Sequence, residues 1–139
     1  MQKAQFTPLI NCCIIITMKT VLVVDDSKIM RNIVKKYFSA QKIPRRYLEA
    51  ANGIEALEQT LNESIDLVFL NWNMPEMTGI DFLKQVRAIE KYKKLPIIMV
   101  TGEAARYNVI EALKLGATDY IIKPINGKLF AEKISNLVL

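Results

Sequence analysis

Two adjacent carboxylates, Asp25 and Asp26, stand directly after the apolar run Val21-Leu22-Val23-Val24. Asn71 follows Leu67-Val68-Phe69-Leu70, Thr101 follows the run at 96–100, and Lys123 with Pro124 follows the run at 120–122. If these runs are strands of one open parallel sheet, their carboxyl ends face the crevice where such sheets bind ligands. Two carboxylates, an amide, a hydroxyl and an ammonium then converge on one rim. Adjacent carboxylates there suit a hard cation, and Mg²⁺ takes one or two of them and completes its shell with water. Each residue also has a plainer reading. Asp25 and Asp26 are acidic residues favoured before a helix N-terminus, Asn71 and Thr101 are turn residues, Lys123 is a solvated strand end, and Tyr120 belongs to a core. Polar residues at four strand ends at once favour a single site over four coincidences.

The chain contains no histidine. That removes Ser-His-Asp and Cys-His nucleophile pairs, imidazole general bases and most zinc sites. What must position the rim is read from periodicity. Short, nearly all-apolar runs at 21–24, 67–70, 96–100 and 120–122 have the character of parallel strands covered on both faces. The stretch at 46–50 is more polar, as an edge strand would be. Between the runs, Ser27 caps a helix whose Ile29, Met30, Ile33, Val34, Tyr37 and Phe38 share one stripe. Further helices are expected at 53–61, 79–89, 104–115 and 128–137, with Gly116 ending the fourth in a left-handed conformation. This alternation predicts an α/β domain with a parallel sheet.

A length of 139 residues, 51% hydrophobic and 24% charged, suits one globular domain. The formal net charge of +5 is too small to imply nucleic-acid binding, and Lys91, Lys93 and Lys94 read as solvated cations near a helix C-terminus. Cys12 and Cys13, the only cysteines, are adjacent and give no disulfide framework, which fits a reducing, cytoplasmic setting. The apolar stretch 9–16 is broken by Asn11 and is shorter than the ~18 residues a membrane helix needs. Residues 1–17 are expected to be an N-terminal extension of the kind a misassigned start codon adds before Met18. Residues 18–139 are expected to form the domain, ending after its fifth helix with no output domain.

Four ordered motifs carry a resemblance over the chain from about Thr20 onward. They are Val23-Val24-Asp25-Asp26-Ser27, the run from Asn71 through Pro75 to Gly79, Met99-Val100-Thr101-Gly102-Glu103-Ala104, and Gly116-Ala117-Thr118-Asp119-Tyr120 with Lys123-Pro124. Together they resemble the receiver domain of two-component response regulators, close to the stand-alone chemotaxis-type (CheY-like) members. The resemblance implies a doubly wound, flavodoxin/CheY-like (βα)5 fold, with a five-stranded parallel sheet of order 2-1-3-4-5. It implies Asp26 as a direct Mg²⁺ ligand, Asp25 as a ligand through water, and the backbone carbonyl of Asn73 as a third donor. Lys123 would pair with the phosphoacceptor and then the phosphoryl group, Thr101 would hydrogen-bond a phosphoryl oxygen, and Tyr120 would move inward with Thr101. The Lys123-Pro124 bond is cis in the family. Expected partners are a sensor histidine kinase or phosphotransfer protein, and a downstream target docking on the fourth helix, fifth strand and fifth helix.

The departure from the family is Asn71, where the phosphoaccepting aspartate is expected. An acyl phosphate forms when a carboxylate oxygen attacks phosphorus, and a neutral amide lacks that nucleophile. Leu70 beside it offers no hydroxyl instead. Conventional phosphorylation is therefore expected to be blocked and Mg²⁺ binding weakened. Thr101 should keep its hydroxyl away from the site, Tyr120 should lie predominantly outward, and Trp72 should be an exposed residue at the rim. The leading expectation is a non-enzymatic single-domain receiver that signals by docking. The alternative is a natural, phosphorylation-independent pseudo-receiver. A flavodoxin-like cofactor binder would need a phosphate-cradling loop where Asp25 and Asp26 would repel phosphate, and an aspartyl phosphatase would need aspartates one residue apart.

Overall fold

A computed structural model describes residues 18–102, 106–137 and 139, so the expected extension at 1–17 lies outside the described residues. The elements run β1 (Lys19–Val24), α1 (Lys28–Ser39), β2 (Arg45–Ala50), α2 (Gly53–Asn62), β3 (Leu67–Leu70) and α3 (Gly79–Arg87). After a 3-10 turn at Glu90–Tyr92 come β4 (Ile97–Thr101), α4 (Arg106–Lys114), β5 (Asp119–Ile122) and α5 (Gly127–Ser135). All strand pairs are parallel, in the order β2-β1-β3-β4-β5. This is the doubly wound (βα)5 fold with the strand order that the resemblance implies.

Alternation along each strand sorts the core into two layers. Val21, Val23, Leu67, Phe69, Ile98, Val100 and Ile121 share a cluster with Val34 and Phe38 of α1 and Phe130 and Ile134 of α5. Leu22, Val24, Val68, Leu70, Ile97, Met99 and Tyr120 share the other with Ala56 of α2, Phe82, Leu83 and Val86 of α3, and Ala112 of α4. Phe69 sits between Phe38 and Phe130 at ring-centroid distances of 5.9 and 5.4 Å. Each such buried aromatic contributes roughly 1.5–3 kcal/mol. β2 pairs on one side only and is mostly half-exposed, which accounts for its polar sequence.

Side-chain caps start four helices. Ser27 Oγ accepts from Met30 N, as expected, while Asn52, Thr78 and Asn126 do the same for Glu55, Asp81 and Leu129. The Asn126 cap places the start of α5 at Gly127, one residue early. α3 stops at Arg87, short of 89, because Ile89 is extended ahead of the 3-10 turn. β4 extends one residue past Val100 and includes Thr101. The expected start of α4 at Ala104 lies outside the described residues. Gly116 takes a φ of 112°, the positive value anticipated for a helix stop.

The amino ends of the strands are tied by fixed bonds. Arg87 donates from Nε to Gly116 O at 2.9 Å, from Nη1 to Tyr92 O at 2.6 Å and from Nη2 to Leu95 O at 2.7 Å. Lys93 donates to Arg87 O at 3.0 Å, so this cation sits at the α3 C-terminus as its charge predicts. Among the described residues, no helix is long and apolar enough to cross a membrane.

Candidate functional site

At the carboxyl rim, β1 ends by donating Asp25 N to Ala50 O at 3.1 Å, and β3 ends by donating Asn71 N to Val24 O at 3.0 Å. The ladders therefore run on to the two residues and hold their Cα positions. Asp25 is 4% exposed. Its Oδ1 accepts from Ser27 N at 2.9 Å, a tight turn that brings Ser27 to its capping position. Its Oδ2 accepts from Lys123 Nζ at 3.0 Å. Lys123 arrives from β5, where its backbone N–H donates to Thr101 O at 2.9 Å, and its bond to Pro124 is cis.

Asn71 is 7% exposed and makes two side-chain contacts of opposite sense. Nδ2 donates to the backbone oxygen of Asn73 at 2.8 Å, and Oδ1 faces Lys123 Nζ at 3.4 Å. Space behind it is closed by Gly79, where any Cβ would collide with the carbonyl oxygen of Asn71. Gly79 N donates to Trp72 O at 2.8 Å and fixes the returning loop.

The structure thus brings Asp25, Asn71, the Asn73 carbonyl and Lys123 into one hydrogen-bonded group. Asp26 is exposed beside it. Thr101 is 1% exposed and joins the rim through its carbonyl bond to Lys123. Two expectations are corrected. Tyr120 is 5% exposed, in the core layer with Met99, Ala112 and Ala117, and does not lie outward. Burying an aromatic ring is favourable by itself, so its inward position needs no phosphoryl group. Trp72 is half-buried against the same layer and is not an exposed rim residue.

Arg31 was not singled out by the sequence. It donates from Nη1 to Asp25 O and from Nε to Glu49 Oε1, both at 2.7 Å, while Lys35 reaches Glu49 Oε2 at 2.8 Å. The Lys35 bond first and the Arg31 bond second hold the Glu49 carboxyl below the usual carboxylate range. Arg31 therefore braces the acidic loop against β2. The available signals were its position one helical turn after Ser27 and the acidic residue on β2.

Two carboxylates and a backbone carbonyl are hard oxygen donors of the kind Mg²⁺ takes, with water supplying the rest. Among the described residues no three His, Cys, Asp or Glu side chains form a metal cluster. The donor types fit Mg²⁺. The Asn73 oxygen, however, already accepts the Asn71 amide.

The response regulator receiver domain family matches residues 21–135. A chemotaxis protein CheY homolog of Campylobacter jejuni is 43% identical over 118 residues, covering 84% of this chain and 90% of the relative. Chemotaxis protein CheY1 of Helicobacter pylori strain J99 is 44% identical over 114 residues, with 81% and 91% covered. Among solved structures, the chemotaxis response regulator CheY4 of Vibrio cholerae superposes with a TM-score of 0.76 at 33% identity, covering 88% of this chain and 100% of that one.

Proposed function

The chain belongs to the response regulator receiver domain family, signalling modules of two-component systems, and on that premise we propose that it is a CheY-like single-domain receiver whose phosphoacceptor position is held by Asn71. The extent of the match supports the single-domain reading, since 90% of the Campylobacter relative is covered. Residues 18–139 are assigned to the receiver unit and 1–17 to an appended segment. A chain starting at Met18 should keep its stability to within about 1 kcal/mol, read by urea denaturation.

The observation that carries the proposal is the joined group of Asp25, Asn71 and Lys123 at the carboxyl rim. Asp25, Asp26 and the Asn73 carbonyl would hold Mg²⁺, which supplies charge neutralisation to phosphoryl oxygens when bound. Lys123 supplies a second positive charge, and Thr101 a hydroxyl for a phosphoryl oxygen. Asn71 supplies no nucleophile, so the chain acts by docking without turning over a substrate. Its partners would be a histidine kinase or phosphotransfer protein and a downstream target in the cytoplasm, with chemotaxis as the role suggested by the relatives' names. Tyr107 and Ile110 of α4 and Ile122 of β5 are exposed apolar residues and support a target face there.

The test is incubation with Mg²⁺ and a small phosphodonor, followed by mass spectrometry. The unaltered chain should gain no hydroxylamine-sensitive phosphate, whereas Asn71→Asp should gain one equivalent. Phosphate on the unaltered chain would overturn the proposal.

The buried Tyr120 favours a second reading, a pseudo-receiver already competent with Asn71 in place. In that case the unaltered chain would bind its target as tightly as phosphorylated Asn71→Asp.

A further inference from the structure

We propose that the Asn71 amide is an internal stand-in for the divalent cation, closing the third oxygen donor of the site with a proton of its own chain. The inference rests on reading this rim as the receiver's cation site. Nδ2 lies 2.8 Å from Asn73 O, the distance of a full N–H···O bond. An ionised aspartate at 71 would have acceptors only and could not make that bond. The orientation of the amide is fixed from both sides. Turning it over would set Nδ2 against the Lys123 ammonium, 3.4 Å from the present Oδ1, and Oδ1 against the Asn73 carbonyl oxygen. Both contacts would be repulsive.

The same group is complete without an ion. Lys123 Nζ bridges Asp25 Oδ2 and Asn71 Oδ1, and Ser27 N takes Asp25 Oδ1. A Mg²⁺ ion needs its oxygens at about 2.0–2.1 Å in near-octahedral geometry. At Asn73 O it would meet the positive end of an N–H dipole already seated. Asn71 therefore opposes the ion twice: it removes a negative charge, and it occupies a ligand.

Neutral substitutions without a donor separate the two effects. Loss of charge alone predicts that Asn71→Ala and Asn71→Leu bind Mg²⁺ as the unaltered chain does. Closure predicts that both bind about fivefold tighter, the order of one neutral hydrogen bond. Asn71→Leu keeps the branched heavy-atom skeleton of the side chain in case Asn71→Ala loosens the loop. Titration with MgCl₂ would be followed by Trp72 fluorescence and calorimetry. Equal affinity for the unaltered chain and both neutral variants overturns the closure. Failure of Asn71→Asp to bind Mg²⁺ overturns the underlying receiver-site reading, and the closure with it. A measurement without substitution is the Asn71 side-chain amide in NMR. One Nδ2 proton should exchange at least tenfold slower than a free amide, and exchange of both at the free rate overturns the closure.

Discussion

Arg87 and Lys123 are cations set among oxygens at opposite ends of the same sheet, and they hold those oxygens differently. Arg87 spreads its planar fork over three backbone carbonyls at 2.6–2.9 Å. Carbonyls neither titrate nor leave, and although burial pulls this guanidinium below its ordinary pKa, it stays charged. Lys123 places one point charge between two side chains, Asp25 at 3.0 Å and Asn71 at 3.4 Å. Its partners are groups that chemistry or substitution can change, and an ammonium on a flexible stem can follow them. One end of the sheet is stitched, and the other is held by exchangeable contacts.

Removing the stitch should have the largest effect. Arg87→Ala leaves three carbonyls short of their donor, and a loss of about 3–4 kcal/mol is expected in urea denaturation, with Mg²⁺ binding by Asn71→Asp unchanged in the same background. A loss below 1 kcal/mol would break the contrast. Lys123→Met should cost less, about 1–2 kcal/mol, because the Lys123 side chain is 23% exposed although the Asp25 side chain it leaves is 6% exposed. Adding Asp25→Asn should recover most of that loss, and a double-mutant cycle reads the coupling.

The brace on the acidic loop comes next. Arg31→Ala should cost about 1 kcal/mol and weaken Mg²⁺ binding severalfold in the Asn71→Asp background, as measured by calorimetry. The smallest effect is that of pH on Glu49. Its lowered carboxyl contributes stability that is fully present above the unfolded-state pKa and lost as pH falls through the folded value. Glu49 is 36% exposed, so solvent screening keeps this below about 1 kcal/mol. The difference in denaturation midpoint between the unaltered chain and Glu49→Gln should shrink through that acid range and with added salt.

The sequence carried the parts of the molecule that depend on pattern. Apolar runs marked where Asp25, Asn71 and Lys123 leave the sheet and where Thr101 ends its strand, and Gly116 marked its helix end. It did not carry the features that depend on what lies across the fold. The bond from Asn71 to Asn73 is local, but its direction is set by Lys123 from the far strand. Arg31 reads as one more helix cation until β2 brings Glu49 beside it. Tyr120 reads as outward from the missing phosphoryl group alone, whereas the core layer beneath the ring takes it inward.

The pair between Asp25 and Lys123 joins residues 98 positions apart. During synthesis the inner carboxylate is made first and its counter-charge among the last residues of the domain. Until β5 is delivered and docked, the rim has its acidic half without its basic half. Contacts of such long sequence separation form slowly, and domains fold as units while the chain emerges. A chain that stops before Lys123 therefore leaves the Asp25 carboxylate without its ammonium partner, and the closing of that ion pair becomes a mark that all five strands have been made.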